Sequence, residues 1–279
     1  MDRILAILLA CVALGVVGHW AAMRLLAWRG VRVRRTMFGL TLLFDTTDDD
    51  GTPVRMLSVG GAFQSVCYLA PGLENELVCE YQRLEARIVA GLPRLRDAVV
   101  IGGGGFSFPR WLVWHLPPVR VTTIEIDPAI IEIARSDFFL RDAERAFAGT
   151  GRLDVVCADG WEWLRARSEP VDLIVNEAFK GRRPFGPLAT DEGARLVRER
   201  LSAGGTYLAD VRCPLEGRGS ETLGKTAAAF AREFAHVWVL PEFPDEPKRP
   251  GNNTLVASDC DLVAAVCAPL VGREWGRGR

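Results

Sequence analysis

AVVIGGGGFSFPRWLVWHLPPVRVTTIEID, Ala98–Asp127, is the stretch that decides the fold. Ala98-Val99-Val100-Ile101 is a short apolar run of the kind that forms a strand buried on both faces. Gly102 to Gly105 follow without a gap, and a β-rich run from Val119 to Ile126 carries Glu125 near its end, with Asp127 just after. Strand, glycine turn, helix, strand and terminal acid make the first half of a nucleotide-binding α/β unit. The glycines Gly102, Gly103 and Gly104 let backbone approach a ligand, and an acid about 20 residues on can accept both ribose hydroxyls. The run does not fit G-x-G-x-x-G, because Ser107 stands where the last glycine would fall. Alone it is equally compatible with a plain turn; Glu125 at a buried strand tip turns the reading toward a nucleotide site.

The second half of the unit repeats the pattern. Pro128 opens a helix at its first position, with Ile130, Ile131, Ile133 and Ala134 as the buried face. Leu153 to Cys157 is a third strand, followed directly by Asp159-Gly160 and a helix from Trp161 to Arg167. Asp159 then lies on the ligand edge of an open sheet, where an acid can accept from an exocyclic amine; a helix N-cap is its other reading. Val171 to Val175 is a fourth strand that runs into Glu177. Glu125, Asp159 and Glu177 thus end successive strands and point to one crevice. Glu177 is not needed for a nucleoside, so it is the candidate base for an attacking amine. Capping, or pairing with Lys180, Arg182 or Arg183, is the structural alternative.

Around this centre, Thr36 to Phe44, Arg55 to Val59 and Gln64 to Leu69 read as strands of a small antiparallel unit. Glu76 to Leu92 reads as a helix with Leu77, Tyr81, Leu84, Ile88 and Leu92 on one stripe, ended by Pro93. Beyond the fourth strand come a helix from Asp191 to Leu201, a sharp turn at Ser202 to Gly205, and a strand from Thr206 to Val211. A helix from Glu221 to Phe234 and two closing strands, Val237 to Leu240 and Thr254 to Ala257, complete the unit.

Composition sets the bounds. The 279 residues are 49% apolar and 25% charged, enough for a large core. A net charge of −1 gives no electrostatic case for nucleic acid. The seven cysteines are scattered, with no C-x-x-C pair, so buried free thiols in a reducing compartment are expected and no metal site is implied. Ile4 to Met23 is an apolar run long enough to cross a bilayer as a helix. Its front holds only Arg3 offset by Asp2, while Arg24, Arg29, Arg32, Arg34 and Arg35 lie behind it. The positive-inside rule then leaves the N-terminus outside and the main domain in the cytoplasm, as a single-pass protein of the cell membrane; Trp20 and Trp28 would sit at the interface.

These motifs, in this order, resemble the spermidine synthase family, the polyamine aminopropyltransferases. The resemblance runs from about Thr36 to Ser258. It is carried by Met56 to Gln64 (MLSVGGAFQ), by Val100 to Gly104, by Glu125 in IEID, by Asp159-Gly160, by Leu201 to Gly205 (LSAGG) and by Asn252 to Ser258. The family's Tyr-His-Glu triplet is echoed loosely by Glu80-Tyr81-Gln82. The resemblance implies a Rossmann-like class I methyltransferase fold, mostly a parallel seven-stranded sheet, behind a small antiparallel β domain. It implies Gly102, Gly103, Gly104, Glu125, Asp159 and Gly160 as the adenosyl-nucleotide site, Glu177 as the catalytic carboxylate, and Gln64 and Tyr81 toward the substrate. Three departures stand out: Gly105 replaces the usual aspartate after the glycines, Glu177 replaces the catalytic aspartate, and Lys180 replaces a second one.

The expected organisation is a transmembrane anchor at 1–30, a small β domain at 31–75, a catalytic domain at 76–270 and a disordered tail at 271–279. Three functions follow. The first is aminopropyl transfer from decarboxylated S-adenosylmethionine to a small-molecule amine acceptor, without a metal. The second is methyl transfer from intact S-adenosylmethionine, whose carboxylate suits a site with glycine at position 105. The third is a membrane-anchored nucleotide-binding protein without activity. Family analogy also implies a homodimer through the small β domain.

Overall fold

The computed structural model describes residues 15–18, 20–92, 94–180, 183–184, 186–261, 266–267 and 273–274. Two sheets organise the chain. Four strands, β1 (Arg32–Thr36), β2 (Gly39–Thr47), β3 (Pro53–Val59) and β4 (Ala62–Tyr68), form an antiparallel meander in that order. The single strand expected from Thr36 to Phe44 is therefore two strands broken by a turn at Met37-Phe38. Thr36 pairs Gly39 across that turn, and Gly39 holds φ +116, which only glycine tolerates.

Among the described residues the larger sheet has eight strands. Its parallel part runs β7 (Leu153–Cys157), β6 (Arg120–Glu125), β5 (Asp97–Ile101), β8 (Val171–Asn176), β11 (Leu201–Cys213). On the far side β11 pairs antiparallel with β13 (Gly251–Ser258), β13 with β12 (His236–Leu240), and β12 with β14 (Arg273–Glu274). Strands β9 (Phe179–Lys180) and β10 (Arg183–Pro184) form a separate hairpin. The sharp turn expected at Ser202 to Gly205 is instead a register shift within β11, between Leu201 and Thr206. The eighth strand comes from the tail expected to be disordered, where Glu274 pairs Trp238.

Alternation along the strands feeds two cores. Ala98 and Val100 face α1 (Glu80–Ala90) and α2 (Ser107–His115) through Ile88, Phe108 and Leu112. Val99 and Ile101 face α5 (Gly160–Ala166), α6 (Asp191–Arg200) and α7 (Glu221–Phe230) through Leu164, Val197 and Phe230. Helix α1 begins at Glu80, later than the expected Glu76, because residues 73–76 close a turn with Glu76 N donating to Leu73 O. The remaining helices, α3 (Pro128–Asp137) and α4 (Leu140–Ala146), pack Ile130, Ile131 and Phe138 on Leu43 and Leu57 of the small sheet.

Several polar ties fix the small sheet to the two ends of α3. Arg32 pairs with Asp137, and Arg55 Nη1 donates to Asp137 O at 2.9 Å. Asp127 caps α3 by accepting from Ala129 N, while its other oxygen accepts from Met37 N at 2.6 Å. The Met37-Phe38 turn is thereby pinned over the carboxyl ends of the central strands.

Half of the expected anchor at 1–30 falls outside the described residues. Residues 15–18 and 20–28 are helical, with Trp20, Leu25 and Trp28 exposed. Among the described residues no helix is long and apolar enough to cross a membrane.

Candidate active site

The glycine turn gets its shape from its neighbours. Gly102 holds φ +94, and a Cβ there would meet the Glu177–Ala178 backbone at 2.7–2.8 Å. Its N–H donates to Ile124 O at 2.8 Å, and Glu177 N donates to Ile101 O at 2.8 Å. The first glycine is thus the point where β5, β6 and β8 come together, the switch point of the parallel sheet. Gly103 N and Gly104 N then donate to Glu125 Oε2 at 2.9 and 3.3 Å, and Asp127 N donates to Oε1 at 3.0 Å. Glu125 is a carboxylate held by three backbone donors, with remaining lone pairs facing the cavity it lines.

That cavity has a volume of about 1110 Å³. It is lined by Gly102, Gly103 and Gly104, by Glu125, Asp159, Gly160 and Glu177, and by Gln64 from the small sheet. The three strand-end acids do converge on one crevice. Asp159 lines the cavity and is also the N-cap of α5, accepting from Glu162 N at 3.0 Å through one oxygen. Met37 and Phe38 close the cavity from the pinned turn, and Trp161 lines it from α5.

At its other end the cavity is lined by Gln82 and Glu177, in front of a group of buried acids. Glu177 Oε2 accepts from the Tyr81 hydroxyl at 3.3 Å and from Gln82 Nε2 at 3.4 Å. Gln82 lines the cavity, while Tyr81 is 7% exposed and supports Glu177 from behind. Two further acids sit here that the sequence reading did not single out. Glu85, on α1, is 0% exposed, and Asp210, in the middle of β11, is 3% exposed. Burial pushes the carboxyl of Glu177 up, against the lowering effect of hydrogen bonds from Glu85, Gln82 and Tyr81. Burial first, then the charge of Glu177, raises both Glu85 and Asp210 well above the carboxylate range. From the described residues, Arg212 is the cation whose field reaches Asp210. The acid inside the apolar run YLADV was a visible flag, since buried charge is rare without a purpose. Nothing in the sequence pattern set Glu85 apart from other helix glutamates.

The departures have local causes. Gly105 N donates to Ser65 Oγ at 2.8 Å, and a Cβ at Gly105 would meet Phe138 at 2.9 Å and Ser65 Cβ at 3.0 Å. Ser65 and Phe138 fill the space that an aspartate would need. The side chains of Lys180, Arg182 and Arg183, considered as partners for Glu177, lie outside the described residues. Among the described residues no group of three His, Cys, Asp or Glu side chains is arranged to hold a metal ion.

Fold and crevice together define a Rossmann-like, class I methyltransferase-type α/β protein with an added antiparallel sheet. The family model described as "Spermine/spermidine synthase domain" matches residues 81–246, and the chain belongs to that family. It is 31% identical over 135 residues to the polyamine aminopropyltransferase of Neisseria meningitidis serogroup B, covering 48% of this chain and 49% of that one. It is 35% identical over 143 residues to the polyamine aminopropyltransferase of Corynebacterium efficiens, covering 50% and 27%. The chain thus spans about half the length, or less, of these curated relatives. Among solved structures, a probable spermidine synthase from Corynebacterium glutamicum superposes with a TM-score of 0.69 at 19% identity, covering 87% of this chain and 89% of that one. Human methyltransferase-like protein 13 in complex with SAH gives 0.51 at 18% identity, covering 72% and 96%. At such identities the likeness is one of fold.

Proposed function

We propose that the chain is a transferase that takes an adenosyl-sulfonium donor, decarboxylated S-adenosylmethionine, and moves its aminopropyl group to a small amine in polyamine biosynthesis. The observation that carries this reading is the polarity of the cavity. One end offers the closely approachable glycine turn and the Glu125 carboxylate, and the other the Glu177 carboxyl with further acids buried behind it.

In this reading Glu125 accepts the ribose hydroxyls, the free oxygen of Asp159 accepts the adenine amine, and the glycine turn lets the donor's tail lie against backbone. The acceptor enters as an ammonium ion and gives a proton to Glu177. The freed nitrogen lone pair attacks the carbon bonded to sulfur. The C–S bond breaks with its electrons going to sulfur, leaving a neutral thioether and a secondary ammonium product. The proton on Glu177 returns to solvent when product leaves. Because sulfonium is already a good leaving group, alignment and deprotonation are what the protein must supply. Further support comes from the solved spermidine synthase in complex with the transition-state analogue AdoDATO, which shares the fold at a TM-score of 0.64 and 19% identity.

A second reading, methyl transfer from intact S-adenosylmethionine, is favoured by one feature: Ser65 and Phe138 occupy the space of the acid that would meet the donor's ammonium. Full-length protein, offered donor labelled in the aminopropyl carbons or in the methyl, together with a panel of di- and polyamines, separates the two. Aminopropyl label on an amine supports the first reading. Methyl label alone replaces it with the second, and no transfer of either contradicts both.

We also infer a tether to the membrane through the apolar run Ile4 to Met23, with the main domain on the cytoplasmic side. The exposed Trp20, Leu25 and Trp28 and the following arginines support it. Retention in the membrane pellet after alkaline carbonate extraction is expected, and release would contradict it. The homodimer through the small β domain rests on family analogy.

A further inference from the structure

We propose that Glu85 is a positioning residue for Glu177: it stays a neutral acid and donates its O–H to the Glu177 carboxylate, keeping that group ionised and in place to take the acceptor's proton. The inference rests on the reading of Glu177 as the base.

The geometry carries it. Glu85 Oε2 and Glu177 Oε1 are both sealed from solvent, and among the described residues neither receives a hydrogen bond from a donor group. Glu85 follows Tyr81 and Gln82, which both donate to Glu177, by one turn of α1, and this sets its carboxyl against that of Glu177. Two carboxyls in such contact cannot both be ionised, so one proton is shared between them. Its owner follows from the surroundings. Glu177 also accepts from Tyr81 and Gln82, whereas among the described residues Glu85 Oε1 receives Thr254 Oγ1 alone, at 3.4 Å. The carboxyl with more donors holds the charge, and the fully enclosed Glu85 keeps the proton.

The other groups around the pair act in the same direction. On α1 and just before it stand Tyr81 and Cys79, both neutral because burial and the Glu177 charge raise them. From β11 comes Asp210, and beyond it Glu242 and Arg212. Of these, Tyr81 donates to Glu177 Oε2, and among the described residues none donates to Oε1. Through catalysis Glu85 keeps its own proton; the acceptor's proton goes to Glu177 and leaves from it.

NMR of the full chain labelled with carboxyl-¹³C glutamate reads the shared proton without any turnover. One glutamate carboxyl protonated at pH 7, and missing in Glu85→Gln, is expected. A wild type with every glutamate ionised at pH 7 overturns the proposal, whether or not the variant folds and whether or not an acceptor is known. Kinetics supply the second arm. Glu85→Gln keeps an N–H donor of the same length and should hold kcat within about threefold, with an unmoved acid limb. Glu85→Leu removes the donor, so kcat should fall at least about tenfold and the acid limb shift to higher pH, with donor affinity unchanged. Wild-type kcat and pH profile in Glu85→Leu would also overturn it. Failure of the wild type to turn over any amine removes the reading of Glu177 as base, while the NMR result still decides the shared proton.

Discussion

Gly103 N donates to Glu125 Oε2 at 2.9 Å, so the carboxylate proposed for the ribose is also the brace of the glycine turn. Gly104 N and Asp127 N complete the brace at 3.3 and 3.0 Å. Binding and loop shape are therefore one property of this crevice. Glu125→Gln puts an amide where two oxygens both accept from backbone. It should cost about 1–3 kcal/mol of stability and at least about tenfold in affinity for 5′-methylthioadenosine. Thermal melts and calorimetric titration of the same preparation check this, and a loss in only one of the two would separate the roles.

Gly102 couples the nucleotide end to the acid end. Its φ of +94 excludes other residues without strain, and a Cβ would strike the backbone of Glu177 and Ala178. Gly102→Ala should destabilise the fold by roughly 2–4 kcal/mol and lower kcat more than it weakens donor binding, because the displaced strand end carries Glu177. Denaturant unfolding and steady-state kinetics measure the two effects.

The buried acids set a pH dependence of stability. The folded-state value for Asp210 is raised, so the folded form holds its proton after the unfolded chain has lost it. The stabilisation from this group is complete below the unfolded value of about 3.9 and is lost as pH rises through the raised folded value. Asp210→Asn removes the penalty. Its Tm should exceed that of the wild type at pH 8, with the gap closing toward pH 4. A gap independent of pH would contradict this.

The legible parts of the chain were those where pattern and local geometry agree. The run AVVI and the glycines gave β5 and its turn, and Glu125, Asp159 and Glu177 could be placed on one edge because parallel strands end in register. Met37-Phe38 was hidden because two apolar side chains inside a β-rich run carry no turn signal; the break comes from Gly39 and from Asp127, 90 residues away. Glu85 was hidden because its burial depends on how α1 docks on β13, where Thr254 meets it. Gly105 read as a lost acid, yet Phe138 and Ser65 leave little room for any side chain, which only the packing of α3 against the small sheet could reveal.

The most direct test of the account is Glu177→Gln, assayed for transfer to an amine and for donor binding in parallel. If Glu177 is the base at the acceptor end, kcat falls by about 10²–10⁴-fold while donor affinity stays within about threefold. Turnover at the wild-type rate would contradict the assignment of chemistry to this end of the crevice.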